Sequence, residues 1–149
     1  MRRLKSSVMP VAIDTSVLVA AEKAGADILS LLPPDDPGPY YVPAHAAAEF
    51  LVGTHPPVRA DLRHRALQLY TVELRAMVAP FTEADAAQLA SLIAELRSKG
   101  QQMKFFDACI AAGVLARGDK LLVLDNDFDR LKDRITLLKP NEGKPNEGG

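Results

Sequence analysis

Val11-Ala12-Ile13-Asp14-Thr15-Ser16-Val17-Leu18 holds an apolar run, a three-residue polar break and a second apolar run. From Val8 to Ile13 the residues are apolar and partly β-branched, which suits a short buried strand. The polar break ends that strand, and Val17-Leu18-Val19-Ala20-Ala21 begins a helix. The unit is therefore strand, turn, helix, and the remainder of the chain repeats it. Pro33-Pro34-Asp35-Asp36-Pro37-Gly38-Pro39 forms a loop, Tyr40-Tyr41-Val42 a brief strand closed by Pro43, and Ala44 to Val52 a helix. Pro56 and Pro57 open a longer helical stretch reaching about Ala76, and Met77 to Pro80 is a further strand. Thr82-Glu83-Ala84-Asp85 has the pattern of a helix N-cap with a carboxylate three residues on. Leu89, Leu92, Ile93 and Leu96 follow at helical spacing, with Gly100 as a stop. A helix from Lys104 to Arg117 ends at Gly118, and Leu121–Leu124 and Ile135–Leu138 are the last strands. Strands alternating with helices imply a three-layer α/β/α fold around a mostly parallel, roughly five-stranded sheet.

The chain has 149 residues, 48% of them hydrophobic and 25% charged, which suffices for one core. Residues 1–139 read as a single domain. Residues 140–149 read as a disordered tail, in which Lys139-Pro140-Asn141-Glu142-Gly143 is repeated as Lys144-Pro145-Asn146-Glu147-Gly148. A single cysteine, Cys109, supplies neither an internal disulfide nor a thiolate cluster, so the expected location is the cytoplasm and any metal site must use oxygen or imidazole ligands. The basic start, Met1-Arg2-Arg3-Leu4-Lys5, precedes too short an apolar run for a signal peptide, and no segment is long enough to span a membrane. A net charge of −1 gives no global field for nucleic acid, so cations that contact a phosphate backbone must be gathered locally.

The informative residues are carboxylates where apolar side chains belong. Asp14 ends a hydrophobic strand just before a helix, where open parallel sheets bind ligands. A cap on the next helix is the plainer role, although Thr15 and Ser16 could fill it. Glu49 has His45, Ala46, Val52 and Gly53 as helical neighbours and no cation among them; an exposed helix face would also explain it. Asp107 lies in an apolar stripe of Met103, Ile110, Ala111 and Val114, with Lys104 as a possible ion partner. Asp125, Asp127 and Asp129 follow the strand at Leu121, but Arg130 and Thr136 occupy the positions where a calcium loop needs Gly and Glu. If these acids converge, two charges about 4 Å apart repel by roughly 4 kcal/mol at an effective dielectric near 20. Only protonation or a hard cation makes such a cluster tolerable, and oxygen ligands favour magnesium or manganese.

Four stretches together resemble the PIN-domain nucleases. Val11 to Leu18 is similar to their opening strand, an apolar run ending in Asp-Thr-Asn/Ser. Pro43 through Glu49 to Gly53 resembles the element in which a proline leads into a helix bearing the second acid. Phe106-Asp107-Ala108-Cys109-Ile110-Ala111-Ala112 is similar to the third, and Leu122-Val123-Leu124-Asp125-Asn126-Asp127-Phe128 to the fourth. The resemblance spans about residues 8 to 138 and is strongest towards VapC-type toxins of VapBC pairs. One departure stands out: the family usually has Thr or Ser on the fourth strand before the acid, and this chain has Val123-Leu124.

The resemblance implies a magnesium- or manganese-dependent endoribonuclease with Asp14, Glu49, Asp107 and Asp125 as catalytic acids. Asp14 and Asp107 would hold the metal, with Glu49 and Asp125 completing the shell or orienting water, and Asp127 as the alternative fourth acid. It also implies an RNA substrate, a VapB-like antitoxin and a homodimer. Arg59 and Arg63, one helical turn apart, are candidates for RNA phosphates, against an ordinary solvated face. His45 reads as a packing or surface residue and Cys109 as core. Two rival readings are a PIN-like domain in RNA processing or DNA cleavage and a non-catalytic α/β binding module. Phosphatase and receiver-domain readings need an Asp-x-Asp motif or an early acidic pair, and Asp14-Thr15-Ser16 has neither.

Overall fold

Strand β1 (Val11–Ile13) is wholly buried and lies at the centre of the sheet. In the computed structural model, which describes residues 9–141, it is flanked by β2 (Tyr40–Pro43) on one side and β4 (Lys120–Leu122) on the other. Beyond these lie β3 (Val78–Ala79) and β5 (Leu137–Leu138), giving the order β3-β2-β1-β4-β5 with every pairing parallel. The expected parallel five-stranded sheet is present.

Among the described residues, five α-helices accompany it: α1 (Thr15–Ala24), α2 (Ala44–Val52), α3 (Ala60–Leu69), α4 (Glu83–Ser98) and α5 (Phe105–Arg117). Parallel crossovers are right-handed. The connections leading out to β3 and those leading out to β5 therefore lay their helices on opposite faces. The chain reverses its direction of travel across the sheet between β1 and β4, which opens a crevice at their carboxyl ends. The core is mainly apolar, with Ile13, Leu18, Leu74, Leu92, Ile110, Leu121, Leu122 and Phe128 fully enclosed. Cys109 is buried in it, as its place on an apolar helix implied.

Helix ends follow the local chemistry. Thr82 and Asp85 form a reciprocal capping box at the start of α4. At the end of α5, Gly118 adopts φ 71°, a left-handed conformation that favours glycine.

The helix expected from Pro56 begins instead at Ala60, with Arg59 as its N-cap still extended at ψ 148°. Past Leu69 the backbone widens into a π turn over Tyr70–Leu74 and tightens again over Arg75–Met77. Leu74 on this wide turn is fully buried, while the Glu73 carboxylate accepts from the Ile28 amide at 2.8 Å.

The strand expected to reach Leu124 stops at Leu122, since the Leu124 amide turns to the Ser16 hydroxyl. Residues 1–8 and 142–149, including most of the repeated pentapeptide, lie outside the described residues.

Candidate active site

At the crevice beside β1 and β4, an open cleft of about 370 Å³ is lined by Asp14, Glu49, Asp107, Asp125 and Asp127. Asp14 follows β1 directly, and its amide donates to the Leu122 carbonyl of β4 at 2.9 Å, so the sheet itself sets its position. Glu49 sits on α2, which follows β2, and Asp107 in the first turn of α5. Asp125 and Asp127 belong to the turn after β4, where the Asp127 amide donates to Asp125 Oδ1 at 3.0 Å. Acids dispersed over more than a hundred residues thus meet at the carboxyl ends of β1 and β4.

Asp14 serves two purposes. Its Oδ2 accepts from the Ser16 amide at 3.0 Å and the Ser16 hydroxyl at 2.7 Å, which caps α1. Its Oδ1 is buried and has no hydrogen-bond partner. The plain capping role is therefore real but leaves one oxygen over. Burial raises the Asp14 pKa, partly opposed by the Ser16 hydroxyl and backbone, with Asp125 adding repulsion.

Asp107 is buried as well, and its carboxyl is pushed up to about 7 by burial first, then by Asp14, Asp127, Glu49 and Asp125 in turn. Repulsion from every other acid of the cleft requires them to share one field. Lys104, the expected ion partner, lines the cleft but forms no ion pair with Asp107, and neutralisation must come from elsewhere.

Thr15 and Ser16, read from sequence only as possible caps, position the acids. The Thr15 hydroxyl donates to Glu49 Oε1 at 2.7 Å. The Ser16 hydroxyl donates to Asp14 while accepting from the Leu124 amide at 3.0 Å. Ser16 on α1 thereby ties β4 to Asp14, where Val123-Leu124 offer no hydroxyl of their own. No pattern in the sequence marks these pairings, because each joins residues at least 34 apart or depends on one rotamer.

Arg59 and Arg63 are not among the residues lining the cleft. Arg59 is instead held by Asp61 through two contacts of 2.6 and 3.1 Å, both side chains being largely exposed. His45 packs edge-on against Phe81 at 4.5 Å between ring centres, the packing role expected for it.

The PIN domain family model matches residues 11–134. The chain belongs to the PIN domain family. PIN domains are typically nucleases that use divalent metal ions, which gives an acidic cleft of this kind its chemical context. No curated protein matches the sequence. Among solved structures, a member of the VapBC family of toxin-antitoxin systems, VapBC-5 from Mycobacterium tuberculosis, superposes with a TM-score of 0.67 at 25% identity over 88% of this chain and 97% of that one. VapBC2 from Rickettsia felis, bound to a DNA fragment from its promoter, gives 0.71 at 18% identity, covering 88% and 98%. VapBC-1 from nontypeable Haemophilus influenzae gives 0.67 at 20% identity, covering 88% and 98%. The last two likenesses speak to the PIN fold alone.

The residues of this PIN domain fit a divalent ion. All the acids are oxygen donors, Asp14 Oδ1 is buried without a partner, and Asp107 is strongly perturbed by its neighbours. Among the described residues, no three such side chains are drawn closely enough to hold an ion unaided. Oxygen-only donors are the kind that hard divalent cations take. No helix among the described residues is long and apolar enough to cross a membrane.

Proposed function

We propose that the chain is a magnesium- or manganese-dependent endoribonuclease, the toxin of a VapBC-type pair, acting in the cytoplasm as a homodimer until a VapB-like antitoxin covers the cleft. The observation that supports it best is the gathering of Asp14, Glu49, Asp107 and Asp125 in one cleft with Asp14 Oδ1 buried and unpaired. The likeness to VapBC complexes supports the toxin role and the antitoxin partner.

Asp14 and Asp107 would hold the ion, with residues 1–139 forming the catalytic domain. When bound, the ion supplies a hydroxide nucleophile at neutral pH and offsets charge on the scissile phosphate. Glu49, whose Oε1 accepts from the Thr15 hydroxyl, would complete the shell or orient the attacking water. Asp125 and Asp127, on the exposed rim, add to the negative field, Asp125 acting on Asp14 and Asp127 acting more strongly than Asp125 on Asp107. Burial of Asp14 and Asp107 raises the cost of their charges, which an ion held between them would offset.

The direct test expresses the chain alone in a bacterium and maps new RNA 5′ ends. Growth arrest with discrete cuts is expected, and so is cleavage in vitro that EDTA stops and magnesium or manganese restores. Cleavage that persists in chelator would overturn the metal role, and its absence under every divalent ion would overturn the nuclease. A finer check is Thr15→Val, which keeps the shape but removes the hydroxyl holding Glu49. It is expected to lower kcat/KM about tenfold, the worth of one hydrogen bond to a charged group, with the melting temperature almost unchanged. Equal kcat/KM in both proteins would show that the Thr15 hydroxyl does not position Glu49 for the reaction.

A further inference from the structure

Adjoining the acidic cleft is a second open compartment of about 440 Å³. The two share Lys104, Asp107 and Asp127, so they form one continuous trough. Beyond the shared residues the second compartment changes character, for Gln102, Asn126 and Arg130 line it. Arg130 is held in place by donating Nη1 to the Gln102 carbonyl at 2.8 Å, which leaves the rest of its fork of N–H donors for a ligand. Neither Lys104 nor Arg130 pairs with a carboxylate among the described residues, whereas Arg59, Lys99, Arg117, Lys120 and Arg134 all do. Two unpaired cations thus stand beside an acid cluster without neutralising it.

We propose that this compartment is the subsite for the phosphate next to the scissile one, with Lys104 and Arg130 as its cationic ligands. The inference rests on the nuclease reading and adds to it how the substrate is held. A single strand of RNA carries a negative charge at every step. The acid end of the trough receives one phosphate together with a divalent ion, and the cationic end receives the next phosphate directly. Arginine suits that task because its planar fork meets phosphate through paired hydrogen bonds, while lysine adds a mobile point charge. The Gln102 and Asn126 amides beside them offer hydrogen bonds to sugar or base edges. The substrate class that fits is unpaired RNA with at least two successive phosphates at the cut.

The test uses the full chain and a fluorescently labelled single-stranded RNA oligonucleotide. Binding is measured by anisotropy in calcium over a range of salt, and cleavage is measured in magnesium. Lys104→Ala and Arg130→Ala are each expected to weaken binding and raise KM about tenfold, with kcat within about twofold. Each should also flatten the slope of log K against log salt by about 0.7, the value for one phosphate contact on a single strand. A neutral methylphosphonate beside the scissile linkage should abolish the difference between the natural protein and both variants.

Unchanged affinity and salt slope in both variants would overturn the subsite while leaving the nuclease standing. Equal losses in Arg59→Ala and Arg63→Ala would overturn it too, by moving the strand onto α3. A natural protein that binds with the expected slopes but cuts under no divalent ion would keep the subsite and remove the nuclease. One that neither binds nor cuts removes both.

Discussion

An Asp107→Asn protein is expected to be more stable than the natural chain when divalent ions are absent, and inactive when they are present. The carboxyl of Asp107 rises from an ordinary value of 3.8 to about 7 on folding, chiefly through burial and then through the four neighbouring acids. Between those two values the folded chain binds a proton that the unfolded chain does not. Stability therefore falls as pH rises through this window, and the full cost is reached above about pH 7. Three units at about 1.4 kcal/mol each set an upper bound near 4 kcal/mol. An amide of the same shape escapes the charge but keeps the burial, so a gain of about 2–4 kcal/mol at pH 8 is expected. For a chain of this size that is on the order of 10 °C in melting temperature.

The gain should shrink to less than half by pH 5 and to a small remainder near pH 4, as the unfolded carboxyl also becomes protonated. Magnesium should reverse the ranking, because a ligand that binds only the folded state stabilises it and the natural carboxylate binds the ion better. Since the ion must displace a proton from Asp107, its affinity should fall below about pH 7 and its binding should release protons to buffer. Cleavage by the variant should drop by two to three orders of magnitude. Melting curves at pH 4, 5, 6, 7 and 8, with EDTA and with magnesium, check the whole pattern. A variant less stable than the natural chain at pH 8 in EDTA would show that Asp107 is held by donors and is not an ion-binding acid.

Much of this site was legible because acids are conspicuous in apolar surroundings. Asp14 closes a buried strand, and Asp107 interrupts the apolar face of α5; both anomalies are visible at short range in the chain. The α/β alternation was visible for the same reason, since β1 and β2 are short apolar runs each followed directly by a helix. What stayed hidden depends on distant partners or on backbone detail. Lys104 stands three residues before Asp107, the spacing of an ion pair, yet its exposed side chain forms none. The widened turn at Tyr70–Leu74 follows from tertiary demands, burial of Leu74 and the bond from Ile28 to Glu73, which no local propensity encodes. The Ser16 bridge joins the Leu124 amide to Asp14, and only the adjacency of β1 and β4 makes it possible.

A second large effect is expected far from the cleft, at Arg117 in the last turn of α5. Its guanidinium donates to Asp85 at 2.8 Å, to the Pro80 carbonyl at 3.0 Å, and to the Tyr41 hydroxyl and Gly113 carbonyl at 3.3 Å. Asp85 is almost wholly buried, and its Oδ1 has no hydrogen-bond partner, so Arg117 is its neutralising charge. Gly113 makes room for this contact, since a Cβ there would come within 3.1 Å of the arginine Nη1.

Removing one partner of a buried pair leaves the other uncompensated and usually costs about 3–5 kcal/mol. Arg117 is partly exposed, and the Thr82 amide still donates to Asp85 Oδ2. The expected loss for Arg117→Ala is therefore about 3 kcal/mol, read as a lower urea midpoint at unchanged slope. Adding Asp85→Asn to that variant should recover part of the loss, because the amide removes the stranded charge while keeping the helix cap. If the double variant is no more stable than Arg117→Ala alone, the arginine works through its carbonyl and tyrosine contacts, and the charge on Asp85 carries no cost.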